Sequence, residues 1–171
     1  MNNVIIRKAT LNDALNLVVL KQQVWIATYA TEGIRTEFSN YVLSEFTPEK
    51  IKQSILSSSK ITFIAEIDNH IVGCVEIDYS TKCESSLITY PEITVLYVLE
   101  CFCGKGIGKS LLNEAFLELK ETGYTGAWLT VYYKNFRAIT FYNKIGFKEH
   151  GSTFFEMEGN LYENKIMVCS I

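Results

Sequence analysis

The chain has 171 residues, nearly half of them apolar and a fifth charged, so it is long enough to bury a real core and too apolar to be disordered. A formal net charge of −3 gives no general attraction for nucleic acid, and no run reaches the ~20 apolar residues that cross a bilayer, which excludes a membrane span. Five cysteines without zinc-like pairing and only two histidines, His70 and His150, argue against a metal site.

Cys101-x-Cys103 has no histidine near it in sequence and reads as reduced thiols. The start, Met1-Asn2-Asn3-Val4-Ile5-Ile6-Arg7, lacks a charged segment before a long apolar core, so the expectation is a cytoplasmic chain folding as one domain over residues 1–171.

Val4 to Lys8 suits a first strand. Thr10, with Asp13 three residues on, reads as a capping box opening a helix that runs to about Tyr29. Trp25, Tyr29, Gly33, Phe38, Tyr41 and Phe46 mark an aromatic, broken helical segment. Thr47-Pro48-Glu49 then supplies an N-cap, a first-turn proline and an acid for a helix to about Ser57.

Ile61 to Ile67 and Ile71 to Tyr79 are β-rich runs joined by the hairpin chemistry of Asp68-Asn69-His70, and Ser80 to Tyr90 reads as a loop. A buried central strand, Val95 to Leu99, follows Pro91 and leads through Glu100 to Lys105 into Gly106-Ile107-Gly108-Lys109-Ser110. There a helix opens, with Ile107, Leu111, Leu112, Ala115 and Leu119 as one apolar stripe. Ala127 to Tyr133 reads as a strand, Phe136 to Ile145 as a helix stopped by Gly146, and Phe147 to Met157 with Tyr162 to Ile171 as a last hairpin. This order gives an α/β fold: one mixed, mostly antiparallel sheet of about seven strands with helices on both faces.

Glycines where a strand turns into a helix let the backbone approach a ligand, and the first N–H groups of that helix have no partner inside it. With the helix dipole and Lys105 and Lys109 alongside, a phosphate or pyrophosphate suits this end. A nucleotide-triphosphate P-loop would need glycine where Cys103 stands, and the even spacing of Gly104, Gly106 and Gly108 breaks the dinucleotide fingerprint. The strand Ala127 to Tyr133 also has no Asp to hold Mg²⁺, which counts against phosphoryl transfer.

The stretch Cys103-Gly104-Lys105-Gly106-Ile107-Gly108 resembles the coenzyme A pyrophosphate loop of the GNAT superfamily of N-acetyltransferases, Gln/Arg-x-x-Gly-x-Gly/Ala, with cysteine at the leading position. Asn135-x-x-Ala138-x-x-Phe141-Tyr142-x-x-x-Gly146-Phe147 resembles the later motif of the same superfamily. The resemblance spans roughly Glu92 to Phe147, and the overall layout looks like bacterial polyamine acetyltransferases.

It implies acetyl-CoA as donor and an amine as acceptor, and it leaves a homodimer open. By the same resemblance Leu96, Tyr97 and Val98 would offer backbone groups to pantetheine, and Gly104 through Ser110 would take the pyrophosphate. Asn135 would bond the pantetheine or phosphate portion, Tyr142 would sit by the thioester sulfur, and Glu92 would be the general base. Trp25, Tyr29 and Glu32 are the expected acceptor contacts, with Glu76 a second carboxylate for a cation. The alternative is a sensor that binds acyl-CoA without transferring the acyl group.

Overall fold

In the computed structural model, which describes residues 3–83 and 88–171, a short strand β1 (Ile5–Lys8) leads through a 3₁₀ turn (Leu11–Asp13) into α1 (Ala14–Tyr29). The Asp13 carboxylate accepts from the Thr10 backbone N–H at 2.7 Å and hydroxyl at 2.9 Å, and it is clamped by Arg7. The aromatic segment breaks after Ala30, where Gly33 turns at a φ of +114°, and resumes as α2 (Thr36–Glu45). Thr47 accepts from the Lys50 N–H at 3.3 Å to start α3 (Pro48–Leu56).

Then come β2 (Lys60–Ile67), β3 (His70–Asp78), β4 (Glu92–Val98), α4 (Ile107–Glu121), β5 (Gly126–Tyr132), α5 (Phe136–Ile145), β6 (Lys148–Met157) and β7 (Asn160–Ser170). Both hairpin turns are two residues long, Asp68-Asn69 and Glu158-Gly159, and all four residues have positive φ. His70 and Asn160 therefore belong to strands. Part of the expected Ser80 to Tyr90 loop, residues 84–87, lies outside the described residues. The central strand begins at Glu92, earlier than its apolar run suggested, because Glu92 and Ile93 pair with Asp78 and Ile77 of β3.

The seven strands form one sheet in the order β1-β2-β3-β4-β5-β7-β6, with β4 and β5 its parallel neighbours. One face packs against α4 and α5: Ile107, Leu111, Leu112, Ala115 and Leu119 are buried against Val75, Ile77, Leu129 and Met167. The other face carries α1 and α3 through Leu17, Leu20, Ile51 and Ile64, and α2 through the cluster of Trp25, Phe38 and Val42. These stripes recur at helical spacing, so burying them drives each helix onto the sheet.

Two irregularities at β4 matter for everything that follows. Val95 pairs with Glu76 while Ile93 pairs with Ile77, so Thr94 is an extra, bulged residue. On its other side β4 meets β5 at a single register pair, Glu92 opposite Trp128, and beyond it the strands diverge.

Candidate active site

The divergence opens a cavity of about 970 Å³ in the middle of the sheet. Ile93, Thr94, Leu96, Tyr97 and Val98 line it from β4, and Thr130, Val131 and Tyr132 from β5. One end reaches the turn between β4 and α4. The other reaches the aromatic cluster of α1, α2 and the last hairpin.

At the first end Gly104 and Gly106 have φ of +75° and +83°, a region that side chains resist, and an added Cβ at either would meet nothing within 4 Å. The loop is therefore strained for any residue but glycine and has open space before it. Gly106 is also the N-cap of α4, where no side chain caps the helix, so its first N–H groups are free to meet an anion. Gly104, Gly106, Gly108 and Lys109 line the cavity. Ile107 is buried in the core, the Ser110 hydroxyl bonds back to the Gly106 carbonyl at 3.3 Å, and Lys105 lies over the Phe102 ring at 4.9 Å, so these three would contribute through their backbone or not at all.

Across the gap, Asn135 Oδ1 accepts from the Ala138 N–H at 3.1 Å and caps α5. Its amide NH₂ makes no bond among the described residues and the residue lines the cavity. Tyr142 also lines it, wedged between Phe141 and Phe147 at ring distances of 5.4 and 5.5 Å. Its hydroxyl has no hydrogen-bond partner among the described residues, and burial pushes its pKa well up, so it stays a proton donor.

At the second end Trp25 stacks on Tyr29 and Tyr41 at 4.6 and 4.8 Å, and Tyr29 reaches Tyr132 at 4.8 Å. The Tyr29 hydroxyl approaches Asn164 Oδ1 at 3.4 Å. Trp25 and Tyr29 thus line this end of the cavity. Glu32 is exposed in the break after α1 and does not line the cavity. Glu76 is buried at 5% exposure and belongs to a charge network: it accepts from Lys21 at 3.0 Å, Ser54 at 2.9 Å and, across the bulge, the Thr94 hydroxyl at 3.1 Å.

Glu92 is buried and does not line the cavity either. Burial, and then the neighbouring Asp78 carboxylate, push its pKa up to about 7. Asp78, despite its burial, is held down to about 2 by hydrogen bonds from Ser80 and Lys60. Lys21 and Lys60 are thus already matched by two anions, and a third carboxylate resists ionising.

The sign follows from the raised value. The folded state holds a proton on Glu92 between its ordinary pKa and about 7, so this residue costs stability as pH rises through that window, on the order of 3 kcal/mol once complete. Glu92→Gln is expected to be more stable than the parent at pH 8 by up to that amount, with the difference vanishing near pH 4.5. Paired urea titrations at both pH values check it, and an equal difference at both would overturn the assignment.

Sequence reading missed Thr94, Tyr132, Arg137 and Asn164, all on the cavity wall. Arg137 occupies a variable position of a motif, and Thr94 and Asn164 look like ordinary polar strand residues until the sheet is assembled.

Comparison with known proteins places the chain among acetyltransferases. The family profile described as an acetyltransferase (GNAT) domain matches residues 58–149. The chain is 30% identical over 149 residues to the spermidine N(1)-acetyltransferase of Thermoplasma acidophilum, covering 84% of this chain and 87% of that one. The structure of the PaiA N-acetyltransferase of Thermoplasma acidophilum in complex with coenzyme A superposes with a TM-score of 0.81 at 24% identity, over 99% of each chain. The ribosomal-protein-alanine N-acetyltransferase of Brucella melitensis does so with a TM-score of 0.69 at 20% identity, over 98% of this chain and 99% of that one.

This chain belongs to the GNAT acetyltransferase family, and it is an acyltransferase. Among the described residues no helix is long and apolar enough to cross a membrane.

Proposed function

We propose that residues 1–171 act as one domain, a cytoplasmic enzyme that moves an acetyl group from acetyl-CoA to the primary amine of a small molecule, polyamines included, or of a peptide. The observation that carries this is the continuous cavity: one end offers free helix N–H groups and Lys109, the middle two strand edges, and the far end aromatic rings.

Acetyl-CoA would supply an activated acetyl thioester. Its pyrophosphate suits the loop from Gly104 to Ser110, with the Gly104 and Gly106 φ values as the fit. Its amide-bearing arm suits the gap, where the backbone of Leu96, Tyr97 and Val98 is not paired with β5. Asn135 can donate from its free amide while it caps α5. Trp25 and Tyr29 belong to an aromatic lining that suits a cationic acceptor. Glu32, exposed and off the wall, would reach only an extended acceptor.

Attack requires a neutral amine, and removing a proton from a group of pKa about 10.4 at neutral pH costs about 4.6 kcal/mol. Glu92 has a pKa suited to that work and acts through intervening water, since its own side chain stands off the wall. Tyr142 donates a hydrogen bond to the departing thiolate.

Mixing the protein with acetyl-CoA and a panel of polyamines, amino acids, aminoglycosides and peptides, and following free thiol, tests the proposal. Release that depends on one amine class supports it and names the acceptor. Tight acetyl-CoA binding without release by any amine would favour a sensor, which the cysteine at the loop's leading position suits. No binding would end the proposal.

A further inference from the structure

Arg137, on the second residue of α5, has no assigned part so far. Its guanidinium gives two hydrogen bonds to the Glu100 carboxylate, at 2.6 and 2.8 Å, and its Nη2 lies 3.1 Å from Cys103 Sγ. The residue lines the cavity beside Gly104, Gly106 and Asn135. Both ion-pair partners are exposed, 64% for the Arg137 side chain and 71% for Glu100.

Cys103 opens the glycine loop, and its thiol is a weak donor turned onto the carbonyls of Val98 and Leu99, at 3.7 and 3.6 Å. Burial raises its pKa, so it brings no charge to the loop. The cation that reaches this spot comes instead from α5, 34 residues further along the chain.

We propose that Arg137 is a phosphate-holding residue for the cofactor's pyrophosphate end, filling from α5 the place where Cys103 leaves the loop without a strong donor, and that Glu100 occupies its guanidinium until the phosphate displaces it. The proposal rests on the acetyl-CoA reading of the cavity. A guanidinium fork takes a phosphate by two parallel bonds as readily as a carboxylate, and a doubly charged pyrophosphate against a helix N-terminus outbids one solvated carboxylate. An ion pair as exposed as Arg137 with Glu100 contributes little and is easily exchanged. Glu100 is therefore a built-in competitor for the cofactor.

Calorimetric titration with coenzyme A and with pantetheine, which lacks the phosphates, tests this on the full chain. Arg137→Ala is expected to weaken coenzyme A about 10- to 100-fold, the range for losing charge-assisted hydrogen bonds, and to leave pantetheine unchanged. Glu100→Gln is expected to tighten coenzyme A several-fold. Adding Cys103→Arg to Arg137→Ala is expected to restore most of the lost affinity, which a merely structural role for Arg137 would not produce. The inference is overturned if Arg137→Ala binds coenzyme A as the parent does, or if it weakens pantetheine equally. A parent protein that binds neither would overturn the acetyl-CoA reading and this inference with it.

Discussion

Tyr142→Phe is expected to lower turnover about 100-fold while acetyl-CoA affinity stays within about twofold of the parent. The substitution removes one oxygen and keeps the ring between Phe141 and Phe147, so neither the wall nor the packing of α5 should change. The hydroxyl has no partner among the described residues, so its loss leaves no orphaned group behind. The whole effect then falls on the step in which negative charge collects on sulfur. Because burial raises the phenol's pKa and the departing thiol sits near 8.5, full proton transfer runs uphill and the phenol acts by hydrogen bonding. The loss should accordingly be the same factor across neutral and mildly basic pH, with no basic limb assignable to Tyr142. Steady-state rates from about pH 6 to 9 beside equilibrium binding of acetyl-CoA measure both halves. Unchanged turnover would remove Tyr142 from the chemistry.

The second large effect concerns stability. Lys21→Met is expected to destabilise the fold by about 3–5 kcal/mol, the range for breaking one side of a buried ion pair. Lys21 is 4% exposed and Glu76 5%, and the two meet at 3.0 Å between α1 and β3. Glu76 would keep Ser54 and Thr94 as donors, and Lys60 at 3.6 Å, but would lose its nearest cation.

In the parent, burial works to protonate Glu76, and Lys21 and then Lys60 overcome it and hold its pKa below the usual range. Without Lys21 that balance reverses. The variant's deficit should then shrink as pH falls and Glu76 takes up a proton, and Lys21→Met with Glu76→Gln should recover part of the loss at neutral pH. Urea unfolding of the three proteins at two pH values tests this, and a loss under about 1 kcal/mol for the single variant would show that water already reaches the pair. Since Thr94 also donates to Glu76, loosening of the β4 bulge should accompany the change.

The features legible in the sequence are the local ones. The stripe from Ile107 to Leu119, the proline start of α3 and the two hairpins each depend on neighbours a few positions apart, and they stand in the structure within a residue or two of expectation. The loop glycines and Asn135 line the cavity, and Asn135 also makes the capping bond of α5.

What could not be read joins distant residues. Lys21 and Glu76 are 55 positions apart, and Arg137 and Cys103 are 34 apart. The bulge at Thr94 exists only as a register between β3 and β4. Glu92 reads by resemblance as the general base, and only the assembled sheet shows it buried opposite Asp78 and off the cavity wall. Glu32 shares an aromatic stretch with Trp25 and Tyr29, yet α1 ends at Tyr29 and leaves Glu32 in the exposed break.

The single pairing of Glu92 with Trp128 has a mechanical consequence. It divides the sheet into a panel of four strands, β1 to β4, and a panel of three, β5 to β7, joined within the sheet by one register pair and bridged on one face by α4. Widening the gap there would disturb few ladder bonds within the sheet. A molecule that spans the opening acts as a pin across the two panels. Amide protons along Leu96 to Val98 and Thr130 to Tyr132, far from any unfolding end, should be the ones whose exchange slows most when that pin is in place.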